Sequence, residues 1–71
     1  MSMNNIIVIK EFKMGDEMVY GIFDVCADAD DIQLDLENAD EVVMGLKTAI
    51  MRAQSYDSEY GSHFIPLKDG E

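Results

Sequence analysis

The chain has 71 residues, 48% of them hydrophobic, and its fifteen acidic residues outnumber five basic ones to give a formal net charge of −10. A chain of this length makes one domain, 1–71, that buries only about 60% of its unfolded surface, which excludes a large catalytic cleft. The negative charge argues against direct binding to nucleic acid or to an anionic membrane, because both need clustered lysine and arginine.

Two apolar runs open the chain and predict a β-hairpin. Residues 5–13 contain Ile-Ile-Val-Ile followed by alternation, which is typical of a strand flanked on both faces. A second strand is predicted from Met18 to Cys26. The short loop between them contains Gly15, which can adopt a positive φ, and a loop of this kind joins two antiparallel strands.

A third strand and a helix are predicted next. Residues 32–37 alternate isoleucine or leucine with polar residues, the pattern of a half-buried strand. Asn38 is a good N-cap, and Glu41 at the third helical position completes a capping box, so the helix is predicted to begin there and to end near residues 55–58. The apolar stripe expected to cover the sheet consists of Ala39, Val42, Val43, Leu46, Ala49, Ile50 and Ala53.

The last predicted element is an edge strand at residues 63–67, because Pro66 cannot donate a hydrogen bond to a central ladder. The predicted fold class is therefore α+β, with a three- or four-stranded antiparallel sheet packed by one helix in the order β-β-β-α and a final β. Residues 1–4 and 68–71 are expected to be flexible ends.

The predicted location is the cytoplasm. A single cysteine, Cys26, cannot form an internal disulfide, so nothing indicates an oxidising compartment. The N-terminus lacks a basic segment followed by a sufficient apolar stretch, and no segment approaches the roughly 18 consecutive apolar residues of a membrane span.

No metal, cofactor or enzymatic activity is predicted. A calcium loop beginning at Asp28 would place Ile32 at a ligand position and Ala39 at the twelfth position, where glutamate is required. His63 and Cys26 carry no local signature of a nucleophile and its base. The five glycines are too scattered to form a phosphate-binding loop.

The acidic residues are concentrated in the middle of the chain, since residues 16–41 hold ten acids and no base. On a strand, successive outward residues lie about 6.6 Å apart, which is comparable to the spacing of phosphates along a nucleic-acid strand. The residues predicted to bind a partner, named the acidic row, are Asp24, Asp28, Asp30, Asp31, Asp35, Glu37, Asp40 and Glu41.

A second candidate surface is the methionine flank, made up of Met44, Lys47, Thr48 and Met51. The two methionines lie off the predicted apolar stripe, and methionines in such positions often serve adaptable contact surfaces. Contact with a partner, sealing of a homodimer and packing at the edge of the sheet all remain open as roles for this flank.

The β-β-β-α order with an acidic surface resembles antitoxins of the HicB type. This resemblance implies an antitoxin-like subunit that buries an apolar face against a toxin. The family usually carries a Pro-Asp-x-Pro-Gly-Cys-like stretch after the second strand, whereas this chain has Asp24-Val25-Cys26-Ala27, without proline or glycine, and has no second, DNA-binding segment.

Three functions follow as hypotheses. The first is a non-catalytic inhibitor or adaptor that occupies a basic, nucleic-acid-binding surface of another protein by imitating nucleic acid, as phage-encoded anti-defence proteins such as anti-CRISPRs do. The others are an antitoxin-like subunit and a homodimeric interaction protein, while an acidic face kept only for solubility is the simplest alternative. Crowding of the carboxylates is expected to raise their pKa values and to make the fold more stable as the pH falls from neutral.

Overall fold

A computed structural model describes residues 4–29 and 33–68 and shows an α+β fold with one helix and a four-stranded mixed sheet. The strand order across the sheet is β3-β2-β1-β4. In chain order the elements are β1 (Asn5–Met14), β2 (Glu17–Cys26), a short 3-10 helix (Leu36–Asn38), β3 (Glu41–Val43), α1 (Leu46–Gln54) and β4 (Ser62–Ile65).

The predicted hairpin is confirmed. Strands β1 and β2 pair antiparallel along their whole length, from Asn5 opposite Cys26 to Met14 opposite Glu17. Gly15 in the turn has a φ of 64°, the left-handed conformation that glycine adopts without steric cost. The hairpin forms the centre of the sheet, because β3 pairs with the outer edge of β2 and β4 with the outer edge of β1.

Both faces of the hairpin are buried, as its β-branched composition predicts. On one face, the buried residues of the sheet pack against the helix in a cluster of Ile7, Ile9, Tyr20, Ile22, Ala49 and Ala53. On the opposite face, Val8, Val19 and Phe23 are also buried. The connection between β2 and β3 reaches this second face, since the Lys10 ammonium donates a hydrogen bond to the Leu34 carbonyl at 3.1 Å.

The final edge strand exists over Ser62–Ile65, without Pro66 and Leu67 of the predicted 63–67, but the prediction of a wholly antiparallel sheet is wrong. Strand β4 pairs with β1 in parallel, from Ile7 opposite Ser62 to Lys10 opposite Ile65. The reason lies in the connection: β3 is antiparallel to β2, and α1 then carries the chain across two strands to the far edge. A crossover of this kind returns the next strand in the same direction as β3 and β1.

The prediction of a third strand over residues 32–37 is wrong for the residues described there. Residues 33–35 form no strand, and Leu36–Asn38 form the 3-10 helix. The alternation itself is preserved, because Leu34 and Leu36 are half-buried while their polar neighbours are exposed. The middle of the β2 edge pairs with β3 and part of the β1 edge pairs with β4. Residues 33–37 join neither strand and place their leucines outside the sheet.

The predicted start of the helix at Asn38 is also wrong. Residues 41–43 form β3, and α1 begins at Leu46, after Gly45 as N-cap. The capping-box signal was overridden because Val42 and Val43, both β-branched, pair with the free edge of β2 instead. Of the predicted stripe, Ala49 and Ala53 are buried, whereas Leu46 and Ile50 are 39% and 44% exposed.

Candidate functional site

Two asparagines organise one end of the sheet, where β1 begins and β2 ends. Asn5 is 8% exposed and is the one buried polar residue among those described. Its side-chain amide donates to an Asp24 carboxylate oxygen at 2.7 Å and to the Asp57 carbonyl at 2.8 Å, and its side-chain carbonyl accepts from the Glu59 amide at 3.0 Å. One side chain therefore joins β1, β2 and the loop before β4.

The neighbouring Asn4 extends this network. It has a φ of 44°, a left-handed conformation in which asparagine is enriched among residues other than glycine. Its backbone amide donates to the Glu59 carboxylate at 3.0 Å, and its side-chain amide donates to the Asp28 carboxylate. Asn4, predicted to belong to a flexible end, is therefore held by hydrogen bonds, and residues 1–3 and 69–71 of the predicted flexible ends lie outside the described residues.

Asp40 reaches the same end of the sheet from the opposite edge. Its carboxylate accepts a hydrogen bond at 2.8 Å from the backbone amide of Asp24, and its own amide donates to the Ile22 carbonyl. We name this region the acidic end. It consists of five acidic residues joined by these hydrogen bonds, Asp57 through its backbone carbonyl and the others through their carboxylates: Asp24, Asp28, Asp40, Asp57 and Glu59.

The negative charge of the acidic end changes the pKa of Tyr60. The pKa of its phenol is raised, because its hydroxyl hydrogen-bonds to the Glu59 carboxylate and the negative charges of Glu59 and Asp28 oppose its ionisation. Among the described residues the one ion pair joins Arg52 to Glu41 at 2.8 Å, so no lysine or arginine neutralises the carboxylates of the acidic end.

Glu41 belongs to the acidic row but has a structural role. Its carboxylate accepts hydrogen bonds from the Arg52 guanidinium and from the Tyr56 hydroxyl, both at 2.8 Å, and so ties β3 to the helix and to the turn after it. The guanidinium, followed by the Tyr56 hydroxyl, lowers the pKa of Glu41. The expected rise in carboxylate pKa is therefore wrong at this residue. Burial, followed by the hydrogen bond to Glu41, raises the pKa of Tyr56 to about 12.

The acidic row as a whole is divided by the fold. Asp24, Asp28 and Asp40 come together at the acidic end, whereas Glu41 faces the helix. Asp35 accepts a hydrogen bond from Gln33 at 2.9 Å, and Glu37 is exposed in the 3-10 helix. Asp30 and Asp31 lie outside the described residues. Because residues 33–37 are not a strand, the phosphate-like spacing of about 6.6 Å expected for a strand does not apply to them.

Sequence reasoning missed two acids of the acidic end and both asparagines. Asp57 and Glu59 lie in the loop after the helix, and their position beside β1 depends on the crossover that places β4 at the far edge. The pair Asn4-Asn5 before an apolar strand was a usable signal, because asparagine is depleted within strands and readily hydrogen-bonds to nearby backbone.

The methionine flank is exposed but does not lie on a single helix. Met44 precedes the helix and is 59% exposed, and Met51 lies within the helix and is 62% exposed. Lys47 and Thr48 are exposed on the helix between them. Val42, which is 47% exposed on β3, adds a further apolar side chain close to Met44 in the chain.

The residues considered for catalysis or metal binding lie far apart. Cys26 on β2 lies opposite Asn5 of β1, and His63 on β4 lies opposite Val8, so their backbones are separated by two strand spacings, about 10 Å, and by a further offset of about 10 Å along the strands. Within the described ranges no group of three or more histidine, cysteine, aspartate or glutamate side chains is arranged to hold a metal ion.

Comparison with known proteins assigns no function to the chain. In the part of the chain that the structure describes, no helix has the length and apolar character needed to cross a membrane. No family model matches the chain, and no curated protein or solved structure matches it significantly.

Proposed function

We propose that this protein is a non-catalytic inhibitor or adaptor that occupies a basic surface of another protein, one that ordinarily binds nucleic acid, through its acidic end. The observation that carries the proposal is the fixed placement of the carboxylates. Four of them accept hydrogen bonds from backbone or asparagine amides of the acidic end: Asp24, Asp28, Asp40 and Glu59.

Fixed carboxylates suit this function for a physical reason. A flexible acidic side chain loses conformational entropy when it is immobilised at an interface, about 0.5–1.5 kcal/mol for each one. Carboxylates already held by hydrogen bonds avoid part of that loss. Each carboxylate that accepts one hydrogen bond also keeps further lone pairs, with which it can accept from a lysine or arginine of the partner.

The proposed mode of binding predicts fast association and a steep dependence on salt. Exposed charges attract one another over about 8 Å at physiological ionic strength, and this attraction weakens as salt is added. A partner that ordinarily binds nucleic acid has lysine and arginine clustered on its surface, so the acidic end and nucleic acid would compete for the same surface.

The test uses two charge-matched double variants of the immobilised protein. Asp24→Asn with Asp28→Asn removes two negative charges from the acidic end and keeps an oxygen that can accept from each asparagine. Asp16→Asn with Glu17→Gln removes two charges from the exposed hairpin turn at the opposite end of β1 and β2. Proteins captured from a cell lysate are identified, and the dissociation constant of each is measured at low and high salt, with and without duplex DNA.

We expect a basic, nucleic-acid-binding partner whose affinity falls about fivefold for the first double variant, since two exposed charge pairs contribute about 0.5 kcal/mol each. The hairpin-turn variant should bind like the wild type, and duplex DNA should displace the partner. Equal binding by the two variants, or no effect of salt, would mean that the acidic end is only a solvated surface.

Self-association through the methionine flank is a second candidate function, favoured by the exposure of Met44 and Met51. Replacing both with lysine should leave the melting temperature nearly unchanged, because neither side chain is buried, and should convert a dimer to a monomer in sedimentation equilibrium. Replacing Asn38 and Gln54, which are exposed outside this flank, with lysine adds the same charge and should leave a dimer intact. A wild-type protein that is monomeric at all concentrations would exclude this function.

A further inference from the structure

We infer that the chain has a second binding site, independent of the acidic end, that takes an extended acidic peptide alongside β1 where β4 stops. The site is a cleft of about 290 Å³ on the outer edge of β1. It is lined by Lys10, Glu11, Phe12, Ile65, Pro66, Leu67 and Lys68.

The first argument is the interrupted ladder. The Ile7 amide donates to the Gly61 carbonyl at 3.0 Å, so the odd-numbered residues of β1 direct their backbone groups towards the β4 edge. Pairing of β1 with β4 ends at Lys10 opposite Ile65, where Pro66, which has no amide hydrogen, follows.

The Leu67 amide does not resume the ladder. It donates instead to the Glu11 side-chain carboxylate at 3.0 Å, which holds the segment after β4 beside β1 but off the backbone edge. By the alternation of the strand, the Glu11 carbonyl and both backbone groups of Lys13 therefore lie on an edge without a strand partner among the described residues. Such an edge is a template for an added strand.

The second argument is charge. In a chain of net charge −10, two of the five basic residues, Lys10 and Lys68, line this one cleft. Glu11 also lines it, but its two carboxylate oxygens are already engaged, one by the Tyr20 hydroxyl and the other by the Leu67 amide. Glu11 keeps its negative charge, so the two lysines leave the described lining with a formal charge of +1, which favours an acidic occupant.

The third argument is the rigidity and size of the lining. The Lys10 ammonium lies 5.1 Å from the centre of the Phe12 ring and donates to the Leu34 carbonyl, so its position is fixed before any ligand arrives. A volume of about 290 Å³ lies just below the range for ligand pockets, about 300–1,000 Å³. It suits a short stretch of extended peptide better than a large cofactor.

The test uses three fluorescently labelled hexapeptides and measures their binding to the full chain by anisotropy. The first alternates valine with aspartate, the second replaces aspartate with lysine, and the third is the first peptide with alternate backbone amides methylated to block strand pairing. We expect the first peptide alone to bind at the cleft, whereas the lysine peptide, attracted to the acidic end, should leave the Glu11 and Lys13 amides unchanged. Binding should shift the Glu11 and Lys13 amide resonances in nuclear magnetic resonance spectra and slow hydrogen exchange at the Lys13 amide.

A matched pair of charge reversals locates the site. Lys68→Glu changes an exposed lysine of the cleft, and Lys47→Glu makes the same change on an exposed lysine of the helix. We expect the first to weaken binding about fivefold and the second to have less than a twofold effect, since the attraction between exposed charges is short-ranged. The inference is overturned if the aspartate peptide fails to bind, if the methylated peptide binds as well, or if the two reversals have equal effects.

Discussion

Asn5 holds the acidic end together at the scale of a single side chain. Its side chain is 8% exposed and makes three hydrogen bonds. Removing these bonds would detach both the end of β2 and the loop before β4 from β1. Its environment also explains why the residue is an amide: the two groups nearest its nitrogen, a carboxylate oxygen and a carbonyl oxygen, are both acceptors. A carboxylate in the same place would have no proton to donate.

Asn5→Asp is therefore expected to destabilise the fold by about 3 kcal/mol at neutral pH, because two donor bonds are lost and a second charge faces Asp24. Urea denaturation measures this change. Part of the stability should return at about pH 5, since repulsion raises the pKa of the new carboxyl group. Asn38→Asp, in an exposed position, serves as the control and should have little effect. Equal stability of the two variants would contradict the role given to Asn5.

The contacts of Glu41 predict how the stability of the fold depends on pH. Its folded-state pKa lies below the ordinary value of 4.5, because the Arg52 guanidinium and then the Tyr56 hydroxyl stabilise its ionised form. The ionised carboxylate consequently stabilises the fold above pH 4.5, and this contribution is lost as the pH falls through the lowered pKa. This trend is opposite to the stabilisation by mild acid that carboxylate crowding alone would produce.

Glu41→Gln should be less stable than the wild type at neutral pH, and the difference should close as the pH falls below about 4.5. Thermal melts across this range measure it. Glu37→Gln, an exposed glutamate of the 3-10 helix, removes the same charge without these contacts and should show no such closing difference. A Glu41→Gln curve parallel to that of the wild type would mean that the bonds to Arg52 and Tyr56 contribute nothing.

At the scale of the elements, the second face of the hairpin depends on the missing side chain of Gly21. A β-carbon added there would lie 2.9 Å from Cε1 of Phe23 and 3.1 Å from Cε2 of Phe12. Phe23 is 2% exposed, so its ring has little room to move. The glycine is therefore required for the two aromatic rings to pack across β2, although glycine usually weakens a strand.

Gly21→Ala is expected to cost about 1–3 kcal/mol, since extra volume in a packed interior forces side chains away from their preferred positions. Gly45→Ala is the control, because its added β-carbon would meet only the Thr48 hydroxyl, at an ordinary 3.7 Å. The comparison requires only chemical denaturation of the two variants. A stable Gly21→Ala protein would show that Phe23 has an alternative position.

The elements that could be predicted from the sequence are those specified by local patterns. The hairpin follows from two β-branched runs and a glycine turn, and Ala49 and Ala53 are buried as helical periodicity indicates. The third strand and the helix start were wrong because pairing partners decide them. Val42 and Val43 occupy the edge of β2 that residues 32–37 would have needed. A local sequence pattern does not show which of two segments, residues 32–37 or residues 41–43, will pair with β2.

In the candidate sites, too, local features could be predicted from the sequence and long-range contacts could not. Asp24, Asp28 and Asp40 were identified from charge alone and meet at the acidic end. Glu59 and Asn5 were missed because their contact joins residues 54 positions apart in the chain. The cleft on β1 was missed for a related reason: it exists because β4 runs parallel to β1 and stops at Pro66, a direction fixed by the crossover.

At the scale of the whole molecule, the described part of the chain is elongated, and its acidic and basic residues lie in different places. The described part of the chain measures 42 × 26 × 18 Å, and the acidic end and the hairpin turn lie at opposite ends of β1 and β2. The two basic residues of the cleft lie on the outer edge of β1, away from the pair formed by Arg52 and Glu41. The two proposed partners would therefore meet different parts of the molecule, the basic surface one end of the sheet and the acidic peptide its β1 edge.

The net charge of −10 predicts that salt stabilises the fold at neutral pH. Self-repulsion of the carboxylates destabilises the compact state, and added salt screens it. Salt also weakens the bond between Arg52 and Glu41, but an exposed ion pair contributes only about 0–1 kcal/mol, so the relief of repulsion should dominate. Thermal melts at pH 7 in about 20 mM and about 300 mM sodium chloride measure the balance. The Asp16→Asn, Glu17→Gln variant, with two fewer charges, should gain less from the added salt. A melting temperature that falls with salt would show instead that favourable ion pairs outweigh the repulsion.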